Sequence, residues 1–137
     1  MEERDAAQLY GQFEEAFNSG DDDEQRRALL MRAIASAIWS DGRVPDQLAS
    51  TMQAVTSAWT SDHAPARDFL LDAKAAIWAE LEAKSGDSTT IADATDRTLR
   101  ACLCLTELID PAEVMDSAGW AAEMLSSEPW PRPTRFF

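Results

Sequence analysis

The sequence is poor in the residues that most catalytic sites and phosphate-binding loops require. Its 137 residues include one histidine, two cysteines and five glycines. None of the glycines stands in a Gly-x-Gly-x-x-Gly or Walker arrangement, the patterns that bind phosphate groups through backbone amides. The histidine, His63, lies in the turn-like stretch "TSDHAP", where we interpret it as a surface residue rather than a general acid or base. We predict no catalytic residues and no cofactor.

The two cysteines are too few, and too close in sequence, to form a structural site. Cys102 and Cys104 lie two positions apart, so on a helix their side chains point about 200° away from each other. They therefore do not form a disulfide with each other, and two ligands do not complete a structural metal site, which takes four. We predict two small, apolar side chains in a reduced interior.

Carboxylates are abundant, but their spacing does not match the familiar carboxylate metal sites. The sequence has no Glu-x-x-His pair of the kind that binds two metal ions in helical bundles. The run "GDDDEQ" lacks the turn glycine and the distal glutamate of a calcium loop. Asp93 and Asp96 lie three positions apart on a predicted helix, and we interpret them as part of an exposed face rather than as magnesium ligands. We predict no metal.

Basic residues are scarce, with 12 lysines and arginines against 25 aspartates and glutamates, for a net charge of −13. Direct binding to nucleic acid or to a membrane surface requires clusters of lysine and arginine, so we predict neither. Nine of the acids fall within the first 24 residues, where Arg4 is the only basic residue. They are Glu2, Glu3, Asp5, Glu14, Glu15, Asp21, Asp22, Asp23 and Glu24. This block is either a solvated face or a surface that attracts a basic protein partner.

Long apolar runs are lacking as well. No window of about 18 apolar residues is present that could span a bilayer. The first residues, "MEERDAAQLYGQF", have neither the basic region nor the apolar region of a secretory signal. We expect a cytoplasmic location.

What the sequence contains instead is helical periodicity, with apolar residues at three- and four-residue steps in six segments. The segments cover about residues 2–18, the stretch from the aspartate run to Gly42, and about 45–59, 65–84, 89–109 and 111–125. No segment shows the alternation and β-branched richness of a strand. We predict an all-α, single-domain bundle of five to six amphipathic helices over residues 1–126, followed by an extended tail over residues 127–137.

Local signals predict several helix ends. Asp22 or Asp23 caps the second helix, Gly42 ends it in the left-handed conformation, and Pro45 stands in the first turn of the third.

The later helices carry signals of the same kind. Asp110 caps the sixth helix, with Pro111 at its first position and Glu113 completing a capping box. The fifth segment is apolar over much of its circumference and is our candidate for the central helix. The predicted stripe of the fourth helix consists of Phe69, Leu70, Ala73, Ile77 and Leu81.

The stretch "AIASAIWSDGRVPDQL", residues 33–48, places an Asp-Gly turn between two predicted helices. It resembles the helix, Asp-Gly turn, helix element of the tellurite-resistance TerB-like helical domains. The likeness is carried by Asp41, Gly42, Val44, Asp46 and Gln47, and the stretch covers 16 of the 137 residues. Because no second Asp-Gly element follows, the resemblance implies a helical-bundle fold and no particular function.

The last residues, "SSEPWPRPTRFF", differ in character from the rest. Their three prolines cannot continue a helix and favour an extended polyproline II conformation. Each docked aromatic side chain buries about 150–250 Å², which is a large area to leave in water. We expect the tail to pack on the acidic first helix of its own chain, or to be bound by a second copy or by another partner. The residues that would make these contacts are Trp130, Arg132, Arg135, Phe136 and Phe137.

High negative charge without catalytic residues leads to three hypotheses. The first is a small acidic protein-binding module of the immunity-protein or antitoxin type, an inhibitor that neutralises a basic, nucleic-acid-processing partner. The second is a non-catalytic structural or adaptor subunit, such as a homodimer, that assembles through its apolar helices and aromatic tail. The third is an enzyme or a carboxylate metal-binding protein, for which no pattern in the sequence argues.

Overall fold

A computed structural model describes residues 5–60, 65–85, 94–107 and 113–126. The regular structure in these ranges is entirely helical, which confirms the predicted all-α bundle. The helices are α1 (Ala6–Asn18), α2 (Asp23–Asp41), α3 (Asp46–Trp59), α4 (Arg67–Ser85), α5 (Ala94–Cys104) and α6 (Met115–Leu125). The predicted tail over residues 127–137 lies outside the described residues, as do Glu2, Glu3, His63 and Asp93.

The first three helices begin and end near where local chemistry predicts. Asp5 and Asp22 are the N-caps of α1 and α2, and the Asp22 side chain accepts a hydrogen bond of 2.8 Å from the backbone amide of Gln25. Gly42 ends α2 in the left-handed region, with φ at 71°, as a residue without a Cβ atom does readily. Pro45 is the N-cap of α3, one position before the first helical turn in which we predicted it.

Three predicted boundaries are wrong. The first helix begins at Ala6 rather than at about residue 2, because Asp5 is extended and caps it. The fifth helix ends at Cys104 rather than at residue 109, because the amides of Leu105 and Thr106 bond to carbonyls only three residues back. The sixth begins at Met115 rather than after Asp110. Val114, just before it, is buried and, like Glu113, forms part of a turn, so Glu113 does not stand at the third helical position of a capping box. The predicted cap Asp110 and the predicted first residue Pro111 lie outside the described residues.

The end of α2 lies beside the start of α5. The Thr98 Oγ1 atom donates a hydrogen bond of 2.6 Å to Asp41 Oδ2. At the opposite ends of these helices, the Arg27 guanidinium lies 5.9 Å from the centre of the Trp59 ring. The Nε1 atom of Trp59 donates to the carbonyl of Leu105 at 2.7 Å. Therefore α2 and α5 run antiparallel.

Helices α5 and α6 are antiparallel too. The Arg97 guanidinium, near the start of α5, donates to the carbonyl of Glu123 near the end of α6. The Cys104 thiol, at the end of α5, lies 3.7 Å from the carbonyl of Ser117 in the first turns of α6. Because α2 and α6 are both antiparallel to α5, they run in the same direction. Helices α1 and α2 form an antiparallel hairpin, so the end of α6 lies at the same end of the bundle as the start of α1.

Helix α5 is the most completely buried helix, as its apolar circumference predicts. No side chain from Thr95 to Glu107 is exposed, and α5 packs against α2, α4 and α6. Helix α2 shares the central position, since it packs against α1, α3, α5 and α6. The predicted stripe of α4 is correct except for Phe69, which is exposed, because it is adjacent to Leu70 and only one of the two can face the core.

Candidate interaction surfaces

The buried charges of α5 are structural rather than accessible. Asp96 is 0% exposed, so its assignment to an exposed face is wrong. The physical reason is an ion pair within the helix, in which Arg100 Nε donates to Asp96 Oδ1 at 2.8 Å. A carboxylate that is paired and hydrogen-bonded in this way can be buried where an isolated one cannot.

The cysteines are free, as their spacing predicts, and buried, as is usual for free cysteine. Burial, with smaller contributions from Cys104 and Asp41 nearby, raises the pKa of the Cys102 thiol to about 12. Burial together with the charge of Glu107 raises the pKa of the Cys104 thiol to about 12 as well. Because the thiolate is the reactive form, neither cysteine is set up as a nucleophile or a metal ligand.

Other kinds of site are not found in the part of the chain that the structure describes. Within those ranges no group of three histidine, cysteine, aspartate or glutamate side chains is close enough together to hold a metal ion. Of the described helices, none combines the length and the apolar character needed to cross a bilayer. Two features of the described surface are candidates for interaction, an acidic region and a groove.

The acidic region lies where α1 turns into α2. Six of the nine predicted acids are brought together there, all with exposed side chains. We call this group the acidic corner: Glu14, Glu15, Asp21, Asp22, Asp23 and Glu24. Asp5 lies at the other end of α1, about 14 Å along the helix from Glu14 and about 20 Å from the turn into α2. The predicted block is therefore not one continuous surface.

The acids of the corner differ in how much of their charge is already engaged. Asp22 is occupied as the cap of α2. Asp23 lies 3.7 Å from Arg26, and Glu24 lies 2.8 Å from Arg27. Three acids, Glu14, Glu15 and Asp21, form no ion pair with any described residue. These three provide most of the unneutralised charge of the corner.

Gly20 gives the acidic corner its shape. It is buried, and a Cβ atom placed on it would lie 2.7 Å from Arg26 Cγ and 2.8 Å from the Arg26 backbone nitrogen. Arg26 also donates from Nε to the carbonyl of Gly20 at 3.2 Å. The chain can therefore make its tight turn from α1 to α2 only with glycine at this position.

The groove lies between α5 and α6 on the outer side of the bundle. It has a volume of about 340 Å³, within the range of about 300–1,000 Å³ that is usual for ligand pockets. Its most exposed apolar residue is Trp120, at 38%. Glu107 at its far end pairs with Lys74 of α4 at 2.8 Å. We call this feature the α5–α6 groove; its lining residues are Arg100, Leu103, Cys104, Glu107, Asp116, Ser117 and Trp120.

Our sequence reasoning did not find the α5–α6 groove. The apolar stripe of α6 includes Ala118 and Ala122, and Trp120 lies midway between them on the other side of the helix. A large aromatic residue on the polar face of an amphipathic helix was the available signal. The opposite wall, from Arg100 to Glu107, becomes recognisable only when α5 and α6 are packed together.

Comparison with known proteins adds no assignment. No protein-family model, no curated protein and no solved structure matches this chain. The likeness of residues 33–48 to TerB-like domains therefore remains a resemblance of one turn.

Proposed function

We propose that this protein binds a basic protein partner through its acidic corner and inhibits that partner, in the manner of an immunity protein or an antitoxin. The observation that carries the proposal is the set of three exposed carboxylates, Glu14, Glu15 and Asp21, without ion pairs to described residues. Their charge is available to a partner at no cost of breaking an internal pair. A nucleic-acid-processing enzyme has the basic cleft that such a surface would occupy.

Electrostatic attraction of this kind acts mainly on the rate of association. Clustered charges of one sign raise the association rate of an oppositely charged partner by about 10-fold or more at low salt. The effect falls as salt screens the charges over a Debye length of about 8–10 Å. Salt dependence that maps to the corner is therefore the signature of the proposed function.

A pull-down from the native host with matched variants tests the proposal. The corner variant carries Glu14→Gln, Glu15→Gln and Asp21→Asn; the control carries Asp46→Asn, Asp72→Asn and Glu82→Gln, which are exposed acids elsewhere. Both lose three charges, so they have the same net charge. We expect basic proteins to be captured by the wild-type chain and the control, released by salt, and lost from the corner variant. Equal capture by both variants, or capture of acidic proteins only, would refute the proposal.

A second candidate function is that of a structural or adaptor subunit. Trp120 at 38% and Leu71 at 46% are large apolar side chains exposed on α6 and α4, the two helices that flank the end of α5. Light scattering on the wild-type chain and on Leu71→Ser tests assembly through this surface. A dimer that dissociates in the variant supports a subunit role, and a wild-type chain that stays monomeric at all concentrations argues against it.

A further inference from the structure

We propose that the α5–α6 groove is the docking site of the chain's own tail, residues 127–137, and that Trp130 and Arg132 are the side chains that enter it. This assigns the tail to a different surface from the first helix, and it does not depend on the function proposed for the acidic corner. Three observations lead to it: the direction in which the chain leaves α6, the distance to the groove, and the chemistry of the groove lining.

The chain leaves α6 about 9 Å along the helix from Trp120, the nearest residue of α6 that lines the α5–α6 groove. Ser126 is buried, and its Oγ atom accepts a hydrogen bond of 3.2 Å from Arg97 of α5. It also donates to the carbonyl of Glu123 at 2.9 Å. These contacts hold the start of the tail against α5, at the same junction of two helices that forms the groove further along.

The backbone at this point already has the conformation that the tail prefers. Ser126 has φ at −74° and ψ at 163°, close to the polyproline II values of about −75° and +145°. Pro129, Pro131 and Pro133 have their own φ fixed near that value, and each disfavours the helical region for the residue before it. An extended strand that leaves at the α5–α6 junction needs only to turn back along α6 to follow the groove.

The distances allow this path. Along α6, Trp120 is about 9 Å and Asp116 about 15 Å from Ser126, at 1.5 Å per residue. A polyproline II chain advances about 3.1 Å per residue, so Trp130 reaches about 12 Å from Ser126 and Arg132 about 19 Å. A reversal of direction takes up about two residues, or roughly 6 Å of this length, so residue 130 would lie about 6 Å and residue 132 about 12 Å along α6. The long side chains of Trp130 and Arg132 would cover the remaining ~3 Å to the levels of Trp120 and Asp116.

The lining of the groove matches these two side chains. Leu103 and the exposed ring of Trp120 give an apolar surface for Trp130. Asp116 is exposed and forms no ion pair with the described residues, and so it can accept the Arg132 guanidinium. The groove leads toward the end of the bundle that carries the acidic corner, where the potential favours arginine. The groove therefore complements the tail both in apolar character and in charge.

The experiment uses the full chain and nuclear Overhauser effects between the rings of Trp120 and Trp130. We expect these contacts in wild type, unchanged on dilution, and absent from isotope-filtered spectra of mixed labelled and unlabelled chains. Asp116→Arg and Arg132→Asp should each weaken the contacts, and the double variant with both changes should restore them. Asp72→Arg is the control. Lys74 of α4 faces the groove, where it pairs with Glu107, and the exposed Asp72 two positions earlier lies on the other side of α4.

Three results would overturn the inference. They are the absence of contacts between Trp120 and the tail in wild type, contacts of the tail with α1 instead, and contacts that occur only between chains. The last would mean that a second copy supplies the tail. Because Asp116 is exposed, its substitution should leave the helical circular dichroism unchanged; if it does not, Arg132→Asp alone carries the test.

Discussion

The Nε atom of Arg100 lies 2.8 Å from Oδ1 of Asp96, one turn apart on α5, and the two side chains are almost completely removed from solvent. An ion pair of this kind is stable because each charge compensates the other where water cannot. It places a strong constraint on how α5 packs, since neither partner can be withdrawn alone without leaving a buried charge.

Removing one partner of this ion pair should therefore cost more than removing both. We expect Asp96→Ala to lower the free energy of unfolding by about 3–5 kcal/mol, because Arg100 stays buried without its partner. The double variant Asp96→Leu, Arg100→Met should lose much less. Urea unfolding measures both, and the exposed pair provides the control: Asp23→Ala should cost about 1 kcal/mol or less. A double variant as unstable as the single one would contradict this account.

Gly20 and Gly11, both in the hairpin of α1 and α2, allow a matched pair of substitutions with opposite expected effects on stability. Gly20→Ala should destabilise the fold by about 1–3 kcal/mol, since its Cβ atom would overlap the Arg26 backbone and force the turn open. Gly11, on the exposed side of α1, has no atom within 4 Å of a built Cβ. Gly11→Ala should stabilise by about 0.5–1 kcal/mol through helix propensity alone. Thermal unfolding of the two variants should therefore shift in opposite directions.

The buried thiols predict a loss of stability at high pH. Burial raises the pKa of Cys102 and Cys104 to about 12 in the folded chain, from an ordinary value of about 9. Below pH 9 both states hold their protons, and the full stability is present. As the pH rises from 9 towards 12, only the unfolded state loses protons, so stability falls by up to about 1.4 kcal/mol per pH unit for each thiol.

Urea unfolding between pH 8 and pH 11 tests this prediction. The control is the variant Cys102→Ala, Cys104→Ala, whose stability should fall less over the same range. An equal fall in both chains would mean that other groups cause it. At pH 8 the folded wild-type chain should also react with a thiol reagent far more slowly than the unfolded chain.

The Trp59 side chain joins α3 to the end of α5. Its indole should contribute more to the free energy of unfolding than the indole of Trp39. Trp59 Nε1 donates to the carbonyl of Leu105 at 2.7 Å in a buried site. We expect Trp59→Phe to cost about 1–3 kcal/mol because that carbonyl is left unsatisfied. Trp39 Nε1 donates to Thr56 Oγ1 at 3.1 Å in a half-buried site, where water can replace the bond. Trp39→Phe should therefore cost less, about 0.5–1.5 kcal/mol, as measured by chemical denaturation.

Much of the fold was predictable because the signals for it are local. Asp22 as a cap, Gly42 as a left-handed stop and the buried stripe of α3, which includes Met52 and Trp59, follow from contacts within one or two helical turns. The start of α6 was predicted too early, because Glu113 and Val114 form a turn and the helix begins only at Met115.

The candidate surfaces were predicted only in part. The acidic corner was foreseen as a block of charge, and its six exposed members come together because a short turn joins α1 to α2. The separation of Asp5 from that corner was not foreseen, nor was the α5–α6 groove around Trp120. Both depend on which helix lies beside which.

By itself the sequence determined the helical class, most helix ends, the net negative charge and the apolar stripes, because these depend on residue type and on spacing along the chain. Only the tertiary structure decided that Asp96 and Arg100 are buried together, that the acids divide between two ends of α1, and that Trp120 borders a groove. The reason is that burial and proximity between helices are set by the packing of faces distant in sequence, and the pattern of any single helix does not contain that information.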